Sequence, residues 1–138
     1  MIELINREIC PSPFSEEVFK EKVSYIIEEE GFLEGDLIFV FMTDDELLEY
    51  NKELLSHDYY TDVITMDQKV GDIVSGEIMV SVDRISENAS DLKVPIESEL
   101  YRVLFHGVLH LIGYNDKSEE EIKVMREREN FYLSSLSF

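Results

Sequence analysis

Residues 106–116 read HGVLHLIGYND. Two histidines four apart on a helix project from one face, one turn above the other. A glycine three residues after the second can end that helix in a left-handed cap. The chain can then turn back, and Asp116 stands where a third side chain would reach the imidazoles. His106, His110 and Asp116, with a fourth position open, have the make-up of a zinc site of the catalytic kind. The competing reading is that both histidines are buried, hydrogen-bonded core residues. Against it, the chain holds 3 histidines, and two of them fall at ligand spacing beside a glycine and an acid at the matching offsets.

The flanks support the helix. Residues 95–113 read PIESELYRVLFHGVLHLIG, with proline at the start and glycine just past the end, the punctuation expected of a helix. Leu100, Val103, Leu104, Val108, Leu111 and Ile112 fall mainly on its apolar side. The spacing therefore predicts a largely buried helix whose histidines sit at the edge of a hydrophobic core.

Composition bounds the function classes. A chain of 138 residues, 44% hydrophobic, reads as one globular domain over residues 1–138. No apolar run reaches the length of a membrane span, and the opening residues MIELINREIC carry no secretory pattern. A lone cysteine, Cys10, excludes an internal disulfide and fits a reducing, cytoplasmic setting. Twelve basic residues against 31 acidic ones give a net charge of −19. Such a charge repels nucleic acid at long range and argues against an extended RNA-binding surface. A local one stays open, because distant charges are screened and a bound dication reverses the local field.

Elements alternate along the chain without repeats or linkers. Residues 2–6 read as a strand. Phe14 to Glu30 reads as a helix, capped by Ser15, with Val18, Phe19, Val23, Ile26 and Ile27 facing inward and Gly31 closing it. Residues 36–43 form a buried strand, and Thr43 with Glu46 makes a capping box for DDELLEYNKELL. Strands follow at 61–66 and 76–82, the second reached through a turn near Gly71. A helix at 83–91 precedes the metal helix, and Ser118 caps a last one, SEEEIKVMREREN. Glu28, Glu29, Glu30 and the acids at 119–121 read as solvated. The order predicts an α+β fold: a small mixed β-sheet with packed helices, the metal site on a central helix and the loop after it.

HGVLHLIGYND resembles the HGxLHLxGYDH signature of the YbeY family of metal-dependent endoribonucleases. TDVIT at 61–65 and GEI at 76–78 resemble that family's TDVLSF and LGDI segments, in the same order. The resemblance implies a single-strand-specific endoribonuclease of ribosomal RNA maturation and ribosome biogenesis. It implies zinc on His106, His110 and Asp116, with aspartate in place of the family's third histidine. Implied partners are ribosomal RNA and the small ribosomal subunit or a protein on it. The family's RNA-contacting arginine aligns with Leu55, and His57, Thr61 and Asp62 stand as candidate substrate contacts. Lys52, His57 and Arg102 are the few basic or titratable groups expected near the site.

Two other function classes share parts of this pattern. HxxxHxxGxxD is also the ligand spacing of metzincin proteases, but those enzymes carry a glutamate base after the first histidine, and here that position is Gly107. A non-catalytic, zinc-stabilised ribosome-assembly module is the other, but structural zinc sites usually have four protein ligands. Iron, nickel and copper suit the same donors as zinc. In such a site zinc lowers the pKa of bound water to about 7, and the sequence leaves open whether the product attacks phosphorus or deprotonates a 2′-hydroxyl.

Overall fold

The computed structural model describes residues 1–56 and 60–136, so His57 lies outside the described residues. The elements are β1 (Ile2–Ile5), α1 (Glu16–Glu29), β2 (Leu33–Met42), α2 (Asp44–Leu55), β3 (Val63–Asp67), β4 (Ile73–Ser81), α3 (Val82–Leu92), α4 (Ile96–Ile112) and α5 (Glu119–Leu133). A 3₁₀ turn at Arg7–Ile9 had no signature in the hydrophobic pattern. The fold is α+β. Its sheet has the order β1-β2-β4-β3. β1, β2 and β4 run parallel, and β3 lies antiparallel at the edge. The topology follows from the connections. α1 and the long excursion through α2 supply the crossovers that parallel pairs need, whereas a tight turn through Gly71 joins β3 to β4.

Alternation along the strands divides the apolar residues between two faces. Leu37, Phe39 and Phe41 of β2, with Val74, Ile78 and Val80 of β4, meet Phe19, Val23, Ile26 and Ile27 of α1 and most of α4 in the main core. Met42, Leu47, Ile64 and Met79 form a smaller cluster on the α2 side. Ser15, Thr43 and Ser118 cap their helices as the sequence predicts, the last two in full capping boxes with Glu46 and Glu121.

The departures are instructive. β2 and β4 both begin three residues earlier than the apolar pattern indicates. Leu33 and Glu34 pair with Ile73 and Val74 ahead of a register shift, and backbone pairing there needs no hydrophobic alternation. β3 begins at Val63, leaving Thr61 and Asp62 ahead of it. Val18 is 39% exposed, because it sits one residue off the Phe19–Val23–Ile26–Ile27 stripe. Glu28 and Glu29 face solvent as expected, but the side chain of Glu30 is only 9% exposed. It accepts hydrogen bonds from the hydroxyls of Tyr114 and Tyr132.

α4 is buried on nearly every side, including Gly107. A Cβ at Gly107 would come within 2.7 Å of Cγ2 of Ile78, itself fully buried in β4. The missing side chain lets the helix lie close on the sheet. Gly107→Ala should therefore lower unfolding free energy by about 1–3 kcal/mol through overpacking. Urea denaturation checks this, and an unchanged midpoint would show that Ile78 yields without cost.

Candidate metal centre

His106 and His110 occupy the one open strip of α4, with side chains 17% and 22% exposed. Gly113 ends the helix at φ 136°, a region unfavourable to a side chain. Its N–H and that of Tyr114 both close onto the Leu109 carbonyl, at 3.1 and 3.0 Å. The Lys69 ammonium donates to the Ile112 carbonyl at 3.0 Å, placing a cation at the negative end of the helix. The chain then reverses and returns Asp116. One oxygen of Asp116 lies 3.2 Å from Nε2 of His106 and 3.2 Å from Nε2 of His110. The imidazoles stand nearly perpendicular, at 85°, with centroids 4.5 Å apart. One donor atom from each of the three residues falls within 4.8 Å of the others, and no second grouping of this kind occurs among the described residues.

The proton positions make this constellation informative. Nδ1 of His106 is 2.7 Å from Oε2 of Glu129, and Nδ1 of His110 is 2.9 Å from the Tyr114 carbonyl. Carboxylates and carbonyls only accept, so each Nδ1 carries a proton and donates it. In a neutral imidazole that leaves Nε2 with a lone pair. Two lone pairs and a carboxylate oxygen then face one another. They repel unless a cation, either protons or a metal ion, lies between them. The residues thus fit a divalent ion in donor type, number and direction.

Glu129 was not singled out in the sequence. It follows Met125 and precedes Tyr132 on the buried stripe of α5, and an acid on an apolar stripe was the available signal. Arg102 donates to Glu129 at 3.1 Å and through Nε to Glu99 at 2.8 Å, with a second bond to Glu99. Arg126 adds a contact to Glu129 at 3.3 Å. Burial opposes ionisation of Glu129, but the His106 hydrogen bond and the Arg102 charge outweigh it and hold its carboxyl below the usual range. Arg102 is consequently a counter-ion in the wall of the site. Lys52 lies on α2, where it pairs with Glu49 at 3.7 Å.

Two hollows flank the imidazoles. One, of about 420 Å³, is lined by Leu55, Thr61, Asp62, Val63 and Lys117 beside the three candidate ligands. The other, of about 250 Å³, is bounded by Asp62, Arg102, His106, Asp116 and Arg126. Thr61 and Asp62 therefore do border the site, as does Leu55. Asp62 belongs to both hollows. Burial raises its carboxyl pKa, an effect that Arg102 and His106 partly offset. A larger hollow of about 600 Å³ near β1 and α1 has Glu17, Glu21, Glu28 and Glu34 in its walls and neither imidazole nor thiol. Glu77 sits out of phase with Ile78 in β4, which directs it to the sheet face away from α4.

The model of the family described as Endoribonuclease YbeY matches residues 5–137. The chain belongs to that family. Proteins named endoribonuclease YbeY from Flavobacterium psychrophilum and Phocaeicola vulgatus are similar to it. The first is 47% identical over 78% of this chain and 77% of its own length, the second 44% identical over 75% of each. A solution structure from Thermotoga maritima, 30% identical, matches with a TM-score of 0.66 over 97% of this chain and 87% of its own. No helix among the described residues is long and apolar enough to cross a membrane.

Within this YbeY site, Glu129 should tune the candidate ligand His106. Partners of this sort typically alter metal affinity about 10–100-fold when changed. Glu129→Gln, which keeps the shape and removes the charge, is expected to weaken zinc binding about tenfold in competition with a chromophoric chelator. Affinity within twofold of wild type would show that the carboxylate does not tune His106.

Proposed function

We propose that this chain is a metal-dependent endoribonuclease that cleaves single-stranded RNA during ribosomal RNA maturation, with zinc held by His106, His110 and Asp116. The observation that carries the reading is that both Nδ1 atoms lie against acceptors, which turns the two Nε2 atoms and the Asp116 carboxylate toward one point. Family membership supports the reaction class. When bound there, a divalent ion would supply Lewis acidity toward a phosphoryl oxygen and acidify water.

The remaining work falls to the chain. Glu129 and the Tyr114 carbonyl orient the imidazoles. The aliphatic and aromatic bulk of α4 excludes water from one side of the centre. Asp62 presents a carboxyl to both hollows, where it can hydrogen-bond groups of the substrate. Lys117 and Arg126 border the hollows and can contact a phosphodiester. Thr61 contributes a hydroxyl to the same wall.

Proteolysis fits poorly. The position after the first histidine, where the metzincin spacing calls for a catalytic glutamate, is Gly107, pressed against Ile78. Any side chain there would strike the sheet instead of reaching a substrate. Wild type purified with zinc is expected to contain about one ion per chain and to cut single-stranded RNA, while His106→Ala does neither and casein stays intact with both. Casein cleavage lost in His106→Ala would reverse the assignment, and RNA cleavage equal in both proteins would identify a contaminating nuclease.

A net charge of −19 leaves few phosphates to be neutralised. The reading is that the small ribosomal subunit, or a protein on it, delivers the RNA. A salt titration of binding to isolated RNA should then have a shallow slope, whereas a slope corresponding to roughly six or more phosphates would reveal a basic groove and refute delivery by a partner.

A further inference from the structure

Glu30 is an acid in an unfavourable place. It closes α1, where the helix dipole disfavours negative charge. It follows two solvent-facing glutamates, yet its own side chain is 9% exposed. Tyr114 donates its hydroxyl to Oε1 at 2.6 Å, and Tyr132 donates to Oε2. The guanidinium of Arg128 lies 3.8 Å from Oε2. Burial first, and Glu30 second, raise the pKa of both phenols, so each remains a donor at neutral pH. Desolvating a carboxylate is costly, and partners this specific are what a retained buried acid requires.

Tyr114 faces two ways. Its hydroxyl is held by Glu30, a residue 84 positions away. Its carbonyl accepts the Nδ1 proton of His110 at 2.9 Å. Its N–H closes the end of α4 on Leu109 at 3.0 Å. The residue is therefore fixed at ring and backbone together, and Asp116 follows two positions on.

We propose that Glu30 is a positioning residue for the candidate metal centre: by gripping the Tyr114 hydroxyl it holds the Tyr114 carbonyl where it fixes the tautomer and ring direction of His110. α1 thereby acts on the centre without touching it. Only the zinc readout below rests on the metal reading, because the tautomer is observable in metal-free protein.

The test uses the full chain as wild type, Glu30→Ala, Glu30→Gln, Tyr114→Phe and Tyr132→Phe. Imidazole nitrogen NMR of metal-free protein reports the His110 tautomer, and competition with a chromophoric chelator reports zinc affinity. Wild type is expected to keep Nδ1 of His110 protonated and hydrogen-bonded to the Tyr114 carbonyl. Glu30→Ala and Tyr114→Phe should mix the tautomers and weaken zinc by about tenfold or more, and a Glu30→Ala/Tyr114→Phe double variant should be no worse than either alone. Glu30→Gln should recover most of both signals, because its amide oxygen still accepts from Tyr114 and its N–H can donate to the Tyr132 oxygen. Tyr132→Phe, the control, should lose thermal stability while leaving tautomer and affinity near wild type. The proposal is overturned by unchanged tautomer and affinity in both Glu30→Ala and Tyr114→Phe, or by equal losses in Tyr132→Phe, which would mark a merely structural cluster. Should wild type take up no zinc while the variants still release the tautomer, the metal reading falls and the positioning role stands.

Discussion

The contact of Gly107 with Ile78 is what the rest of the site depends on. It lets α4 settle on β4 closely enough to be buried on almost every side, and only one narrow strip remains open. His106 and His110 occupy that strip, a turn apart. The same closeness removes any place for a carboxylate immediately after the first histidine. The acids that surround the imidazoles must come from outside the helix, and they do: Asp116 from the returning loop and Glu129 from α5.

The electrostatics around that strip are local. Glu99 and Glu129 are almost wholly buried, with Arg102 between them. Desolvation largely cancels the attraction in such clusters, so they are weak evidence for stability. Their effect here is directional, because Arg102 keeps Glu129 ionised and aimed at His106. A protein with a large acidic excess can therefore maintain a site whose field is set by a few buried groups. Lys117 and Arg126 stand at its rim.

Much of this was legible in residues 106–116, because helix periodicity, the glycine stop and the loop length are all written locally. Asp116 could be placed from its offset alone. The capping residues Ser15, Thr43 and Ser118 marked helix starts for the same reason. Glu129 and Glu30 were not legible as site residues. Each is one glutamate among many on an acidic helix, and what sets it apart is a partner 23 or 84 residues away. The starts of β2 and β4 escaped too, since Leu33, Glu34, Ile73 and Val74 are paired by backbone bonds that leave no mark on the alternation of side chains. Arg102 was legible as a group near the site, but its engagement by Glu99 and Glu129 was not. Basic character is visible in a sequence, but the buried acids that engage it are not.

His106, His110, Asp116 and Glu129 all belong to a single helix–loop–helix segment of consecutive chain, while the parallel pairs β1–β2 and β2–β4 join strands distant in sequence. Closing a short loop costs little chain entropy compared with bringing those strands together. The donor atoms sit on two helices and one loop that are neighbours in the chain. An ion captured there would brace two neighbouring helices and would not staple remote parts of the chain. The sheet and its two apolar layers are held by strand pairing and packing, independently of any ion.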